Sequence, residues 1–486
     1  MLSGKDGGEI GGMIGFETGE WMTITPEGYF VASTEGDRWV NVRMNGSVYG
    51  IDQFYDVFYR PDLVQRKLAG EDIRPFIRVT LQDALRDPPP SVSVKLPPGA
   101  VPAAGQKYRV SLEALAQGGG VGEVRVMHNG KLVEVFNRAV VVSGLARAPS
   151  GSPSPAAGVR AVSAEQAEKA LSRGLVGITR AEQDAILARP LIKQVAGDVE
   201  VELAAGENEF SVIGFNGPGT LNARPVTQAI VAAGAVPLPR VFVLAVGVDR
   251  FLNANMAPTL QFAVKDSTDF AQAIREKLAG QYQGTPVVVK ALANEQATHA
   301  GLSEALEQLQ KEVRTNDLLV WFVASHGTLD NNERYGIVLH DWDGQDLESS
   351  LFSTASILEA SRRIKAFNQL LILDTCHAGG VSKLVSGLYD ARLSVLARNM
   401  GLHVFASASA TEEAMDGYDG NGLFTHNLLL GLKTGAADAN ADKAVTINEL
   451  GDYARAETIR VARLLHRRQE PLLLNFGKDV TVYELR

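Results

Sequence analysis

The sequence predicts a multidomain protein: a C-terminal α/β domain with a mostly parallel sheet flanked by helices, preceded by an all-β sandwich and a small N-terminal α+β segment. Three observations carry this. At 486 residues the chain exceeds what one ordinary hydrophobic core organises. From Arg240 onward, short apolar runs alternate with stretches of helical period, which is the grammar of a parallel sheet covered on both faces. Between the Pro88-Pro89-Pro90 break and Ala233, period-two runs separated by turn residues follow one another. The expected domains are residues 1–88, 89–235 and 236–486.

Composition narrows the function classes. Apolar content of 45% and charged content of 21% describe a soluble globular chain, and the net charge of −9 argues against nucleic-acid and membrane-surface partners. No apolar run reaches the roughly 18 residues that a membrane span needs, and the N-terminal MLSGKDGGEIGGMIGF lacks a basic-then-apolar targeting pattern. The single cysteine cannot form an internal disulfide, which fits a reducing, cytoplasmic compartment.

In chain order, the first 20 or so residues are rich in glycine and expected to be poorly ordered. Trp21 to Val48 reads as short strands, with turns at Pro26-Glu27-Gly28 and Glu35-Gly36-Asp37 and a hairpin signal at Asn45-Gly46. Ile51 to Leu63 supplies aromatic anchors on a helix, with a second helix opening at Pro61. SVSVKLPP, KYRVSLEAL, GEVRVMHNGKLVEVF and RAVVVSG then alternate as strands, with a hairpin at Asn129-Gly130, and DVEVEL and NEFSVIGFN resume the pattern from Asp198. That is the cadence of an Ig-like sandwich. Residues 145–197 read as an insertion, made of a Pro/Ser/Gly linker (Ala146 to Gly158) and two capped helical patterns at Ser163 and Thr179.

In the C-terminal half, VFVLAV (Val241 to Val246) and PVVVK (Pro286 to Lys290) are strands, and the helices fall near Phe262 to Leu278 and Thr298 to Val313. LLVWFVAS runs from Leu318 to Ser325 into His326-Gly327. A hairpin through Tyr335 to Leu339 and a helix over Thr354 to Phe367 lead to LLIL (Leu370 to Leu373), which runs into Asp374-Thr375-Cys376-His377-Ala378-Gly379-Gly380. A strand at Leu402 to Ala406, helices at Leu423 to Leu432 and Ile447 to Leu465, and a last strand at Asp479 to Leu485 complete the pattern.

Two buried strands thus deliver a histidine and the lone cysteine to loops at their C-terminal ends, where open α/β sheets bind ligands. A free thiol titrates near 8.5 and needs a neighbouring imidazole to react as thiolate. The N–H groups of Gly327 and Cys376 are candidate donors to an oxyanion, and a glycine there admits a close-lying carbonyl. The competing reading is a small buried cysteine and a satisfied core histidine.

The ASHG segment, followed fifty positions later by DTCHAGG, resembles the caspase-like cysteine peptidases and in particular their metacaspase, paracaspase and orthocaspase branch, bacterial type. The likeness spans Arg240 to about Gly477 and includes LQFAVKD (Leu260 to Asp266) and Gly422-Leu423-Phe424-Thr425. It implies His326 as general base, Cys376 as nucleophile, and Gly327 with the Cys376 amide as oxyanion hole. It further implies that Asp374 and Asp266 line the first substrate pocket. Two carboxylates there favour a guanidinium or ammonium, so cleavage after Arg, with Lys second, is expected. The alternatives are an Asp-directed caspase and a catalytically idle scaffold that binds partners. Ala324 and Ala263 depart from the branch's usual residues at those positions.

No cofactor is required by this chemistry. Asp438, Asn440, Asp442, Thr446 and Glu449 match the spacing of a calcium loop, although Lys443 stands where glycine is usual. The competing reading is an acidic loop capping the last helix. Arginines 147, 160, 173, 180 and 189, together with Lys383, Arg392 and Arg398, lie in spans 145–197 and 381–400, where a zymogen selective for Arg would be cut. Residues 1–235 are expected to dock an activating protease or partner.

Overall fold

The computed structural model describes residues 1, 7–33, 36–44, 46–77, 79–99, 101–137, 191–235, 238–253, 257, 259–278, 287–329, 335–342, 351–377, 394, 397–398, 400–408 and 414–485. They form two compact units, one drawn mainly from the described residues up to 235 and the other mainly from those from 238 onward.

In the first unit, β1 (Gly12–Gly15), β2 (Trp21–Ile24) and β3 (Phe30–Ala32) make an antiparallel sheet. β4 (Asn41–Met44) and β5 (Ser47–Gly50) form the expected hairpin, with Gly46 at φ +83°. Pro61 opens the helix Pro61–Leu68, as anticipated. The aromatic run before it is core: Phe54 and Phe58 are buried and meet edge-on, and Phe30 of β3 meets Tyr55 edge-on.

Seven further strands follow. They are β6 (Ser91–Lys95), β7 (Lys107–Leu115), β8 (Val124–His128), β9 (Lys131–Phe136), β10 (Gln194–Glu202), β11 (Gly206–Gly214) and β12 (Val226–Ala232). They pair antiparallel as β10-β7-β6 and β12-β11-β8-β9, and the inward residues of both sheets, among them Val94, Val110, Val126, Phe210 and Val212, share one core. The Asn129-Gly130 turn has φ of +50° and +80°, as a two-residue hairpin loop requires. Arg125 ties this core to the short helix Tyr55–Phe58: it is buried, reaches Asp56 at 2.7 Å and Glu123 at 2.5 Å, and lies over the Phe215 ring. The RAVVVSG strand and the linker and helices of the insertion lie outside the described residues.

β10 begins at Gln194, earlier than alternation from Asp198 indicated and inside the span read as insertion. Gly197 obscures the period, and its lack of a side chain is needed, because a Cβ there would meet the Phe136 ring at 2.3 Å.

The second unit is built on a sheet of order β14-β13-β15-β18-β19-β21. Its strands are β13 (Val241–Gly247), β14 (Val287–Ala293), β15 (Leu318–Leu329), β18 (Asn368–His377), β19 (His403–Ala406) and β21 (Leu472–Asn475). All neighbours are parallel except β21, which pairs antiparallel to β19. β13 and the centre of β18 are apolar throughout because both faces are covered. The helices Ala263–Leu278 and Leu423–Thr434 pack on one face, with Phe270 stacked on Phe322 at 4.6 Å.

Three differences from the sequence reading have physical causes. His326 and Cys376 lie within strands, because β15 and β18 keep pairing to Gly327 and His377. On its other side β15 changes neighbour: β13 ends opposite Ala324, and β16 (Tyr335–Val338) takes over antiparallel at Gly327, with β17 (Leu351–Ser353) beyond it. The third difference concerns the C-terminal segment. β21 was missed, since its four residues follow Pro471 directly, and the last strand, β22 (Thr481–Glu484), pairs with β20 (Ala444–Thr446) outside the main sheet.

Candidate active site

β15 and β18 are hydrogen-bonded parallel neighbours, and their register pairs Ala324 with Asp374, Ser325 with Thr375, His326 with Cys376, and Gly327 with His377. The histidine and cysteine positions are thus direct cross-strand partners at one end of the sheet. His326 is buried at 4% exposure and stacks on Phe251, with ring centroids 5.0 Å apart. Phe251 lies in the segment after β13, so the imidazole is held by a ring that sequence patterning alone did not single out. Ser325, facing the opposite way along the strand, donates its hydroxyl to the Val338 carbonyl at 2.6 Å and fastens β15 to β16.

The two carboxylates expected in the first pocket converge. Asp266 stands in the first turn of the helix Ala263–Leu278 and is 3% exposed. Its Oδ1 accepts from Asn421 Nδ2 at 2.8 Å, and both oxygens accept from the Gly422 N–H at 3.1 Å. Asp374 Oδ2 accepts from Thr425 Oγ1 at 2.5 Å. A Cβ on Gly422 would lie 3.0 Å from Asp266 Oδ2 and 3.2 Å from Asp374 Oδ2, so both acids press on this one glycine.

Burial, followed by the charge of Asp374, pushes the Asp266 carboxyl up to about 8, while Asn421 and Gly422 pull the other way. Burial also raises Asp374 against the Thr425 hydroxyl, and Asp416 adds like charge to both. What lets such acids sit together is a pair of helix N-termini: Asp266 opens its own helix, and Gly422 caps Leu423–Thr434. Asp249 Oδ1 caps the first of these by accepting the Val264 N–H at 3.0 Å.

Asn421, Thr425 and Phe251 were not expected as site residues. For Thr425 a signal existed in the Gly-Leu-Phe-Thr motif; for Asn421 only the Asp-Gly turn before it hinted at a fixed backbone.

The calcium-spaced loop uses its polar groups internally. Asp438 Oδ2 accepts the Lys443 N–H, Asn440 and Asp442 bond to each other, and Glu449 and Thr446 form the capping box of the helix Ile447–Leu464. Asp438 Oδ1 and Glu449 Oε1 are buried without a hydrogen-bond partner. Among the described residues no group of three or more His, Cys, Asp or Glu is gathered to hold a metal ion, and no helix is long and apolar enough to cross a membrane.

Solved structures with a similar backbone include a Geobacter sulfurreducens protein, at 15% identity and a TM-score of 0.35, covering 49% of this chain and 94% of that one. Another is the fibronectin(III)-like modules of Clostridium thermocellum CbhA, at 12% identity and a TM-score of 0.15, covering 29% of this chain and 97% of that one. Neither likeness is close enough to carry weight. Among curated proteins none matches the chain. The family model of the caspase domain matches residues 240–463, the segment that carries both strands and the two carboxylates. The matched residues thus form a caspase-like domain.

Proposed function

We propose that the protein is a cysteine endopeptidase of the metacaspase-like branch that cleaves proteins after Arg, and after Lys second. The observation that supports this most is the convergence of Asp266 and Asp374 on Gly422, with Asp374 two residues before Cys376 on the same strand. A cationic side chain entering there meets two acids, one of them buried, and favours their ionised forms through charge-assisted bonds. An acidic side chain would meet like charge.

In the proposed mechanism, His326 takes the thiol proton of Cys376 and the thiolate attacks the scissile carbonyl. The Gly327 and Cys376 N–H groups receive the oxyanion, and His326 returns its proton to the leaving amine. Water, activated by the same imidazole, then hydrolyses the acyl-enzyme. Chain cleavage within 145–197 or 381–400, a cytoplasmic setting, and docking through an Ig-like sandwich in residues 89–235 and the segment 1–88 are part of the same proposal.

The test is a pair of fluorogenic peptides ending in Arg or in Asp, given to the wild-type chain and to Cys376→Ala. Cleavage of the Arg peptide by wild type alone supports the reading; cleavage after Asp and not after Arg refutes the specificity, and equal cleavage by both chains refutes the nucleophile.

A further inference from the structure

The short segment before the helix Leu423–Thr434 has features that its place in the sequence does not announce. Tyr418 N–H donates to the Asn421 carbonyl at 2.6 Å and Asn421 N–H returns a bond to Tyr418 at 3.2 Å. Asp419 and Gly420 between them have φ of +50° and +85°. This is a two-residue turn of the kind that leaves almost no freedom to the residue after it. That residue is Asn421, 6% exposed. Its Nδ2 donates to Asp266 Oδ1 at 2.8 Å and to Asp269 Oδ2 at 3.0 Å, so the amide bridges two carboxylates one helical turn apart. Asp269 is in turn bonded to Lys265 on the exposed side of the helix.

We infer that Asn421 is the positioning residue of the specificity pocket, holding the Asp266 carboxylate aimed for a basic side chain. This rests on the reading of the protein as an Arg-directed peptidase. The charged groups around Asp266 leave the task to few donors. Asp374 and Asp416 both disfavour its ionised form, and Asp269 is occupied with Lys265. Asn421 and the Gly422 N–H act in the other direction. Substitutions short of proline leave the backbone donor in place, whereas the amide is easily removed. The position is also selective for an amide: an isosteric carboxylate would lose both N–H bonds and place a third acid between Asp266 and Asp269.

Two consequences separate this role from mere packing. In Asn421→Asp the size is kept but Asp266 holds its proton to higher pH. The KM for an Arg peptide should then rise at least tenfold at pH 7, while kcat at saturation changes by less than about threefold. The pH at which KM reaches its low plateau should move upward. Alkylation of Cys376 by iodoacetamide, which needs no pocket, should keep its wild-type rate.

Asn421→Ala removes the donors without adding charge; a smaller shift of the same sign is expected, and this variant decides the matter if Asn421→Asp does not fold. Asn421→Gln, which keeps the amide, should recover part of the lost affinity. If wild type cleaves after Arg and the KM–pH profiles of both donor-less variants superimpose on it, Asn421 has no positioning role although the peptidase reading stands. The same conclusion follows if kcat and alkylation fall while KM is unmoved. If wild type does not cleave Arg peptides at all, both readings fall together.

Discussion

Gly422 is the residue on which Asp266 and Asp374 converge. Its backbone, at φ −60°, would accept any side chain, so the requirement for glycine comes from space alone. Gly422→Ala should therefore fold. It pushes on two carboxylates at once, and an approximately tenfold rise in KM for Arg peptides is expected, with the cysteine alkylation rate unaltered. Steady-state kinetics beside a thiol-trapping assay would check this.

Asp266 itself gives a stability prediction. Its carboxyl titrates near 8 in the folded chain and near 3.8 when unfolded, so the folded state holds the extra proton between those values. Stability contributed at low pH is lost as pH rises through that window. Asp266→Asn escapes the loss: its melting temperature relative to wild type should be higher at pH 8 than at pH 5, even as cleavage of basic substrates drops. A gain of about 1 kcal/mol corresponds to roughly 2–4 °C in a domain of this size. Equal differences at the two pH values would contradict the shift.

Among the elements, the paired strands β15 and β18 were the most legible. Continuous apolar runs ending in His326-Gly327 and in Asp374-Thr375-Cys376 announce buried parallel strands, and strand adjacency sets the histidine opposite the cysteine. The sequence was silent on where pairing stops. Ladder length depends on a partner, here β16, whose own run is only Tyr335–Val338. Asn421 was illegible for a related reason: its importance comes from a contact across 155 positions, which no local period encodes.

The helix Tyr55–Phe58 makes a different point. It is a single turn, held to the sandwich by the buried pair Arg125–Asp56. Arg125→Met leaves the Asp56 and Glu123 carboxylates without their cation, and a loss of about 3–5 kcal/mol is expected in urea unfolding of the first unit. Adding Asp56→Leu and Glu123→Leu should recover part of it.

At the scale of the whole molecule, the two units correspond to two grammars, period-two alternation in the first and βα alternation in the second. The segment read as an insertion divided the sandwich pattern, and its exact extent escaped the sequence because Gly197 broke the alternation of β10. If cleavage after Arg also acts on the chain itself, incubation of wild type should yield new termini after arginines in 145–197 or after Lys383, Arg392 or Arg398. Cys376→Ala should yield none. Intact-mass and peptide mapping would detect these products, and full activity from an uncut chain would remove self-processing from the account.

The exchange of partners along β15 reaches beyond topology. Ser325 and His326 occupy a seam where one ladder has ended and an opposed one has not yet begun. The histidine's alignment with the cysteine is then governed partly by β16, which engages β15 on either side of it, at Ser325 and Gly327. A small molecule or a protein loop wedged against β16 would shift that alignment, as a loosened violin peg changes pitch without cutting a string.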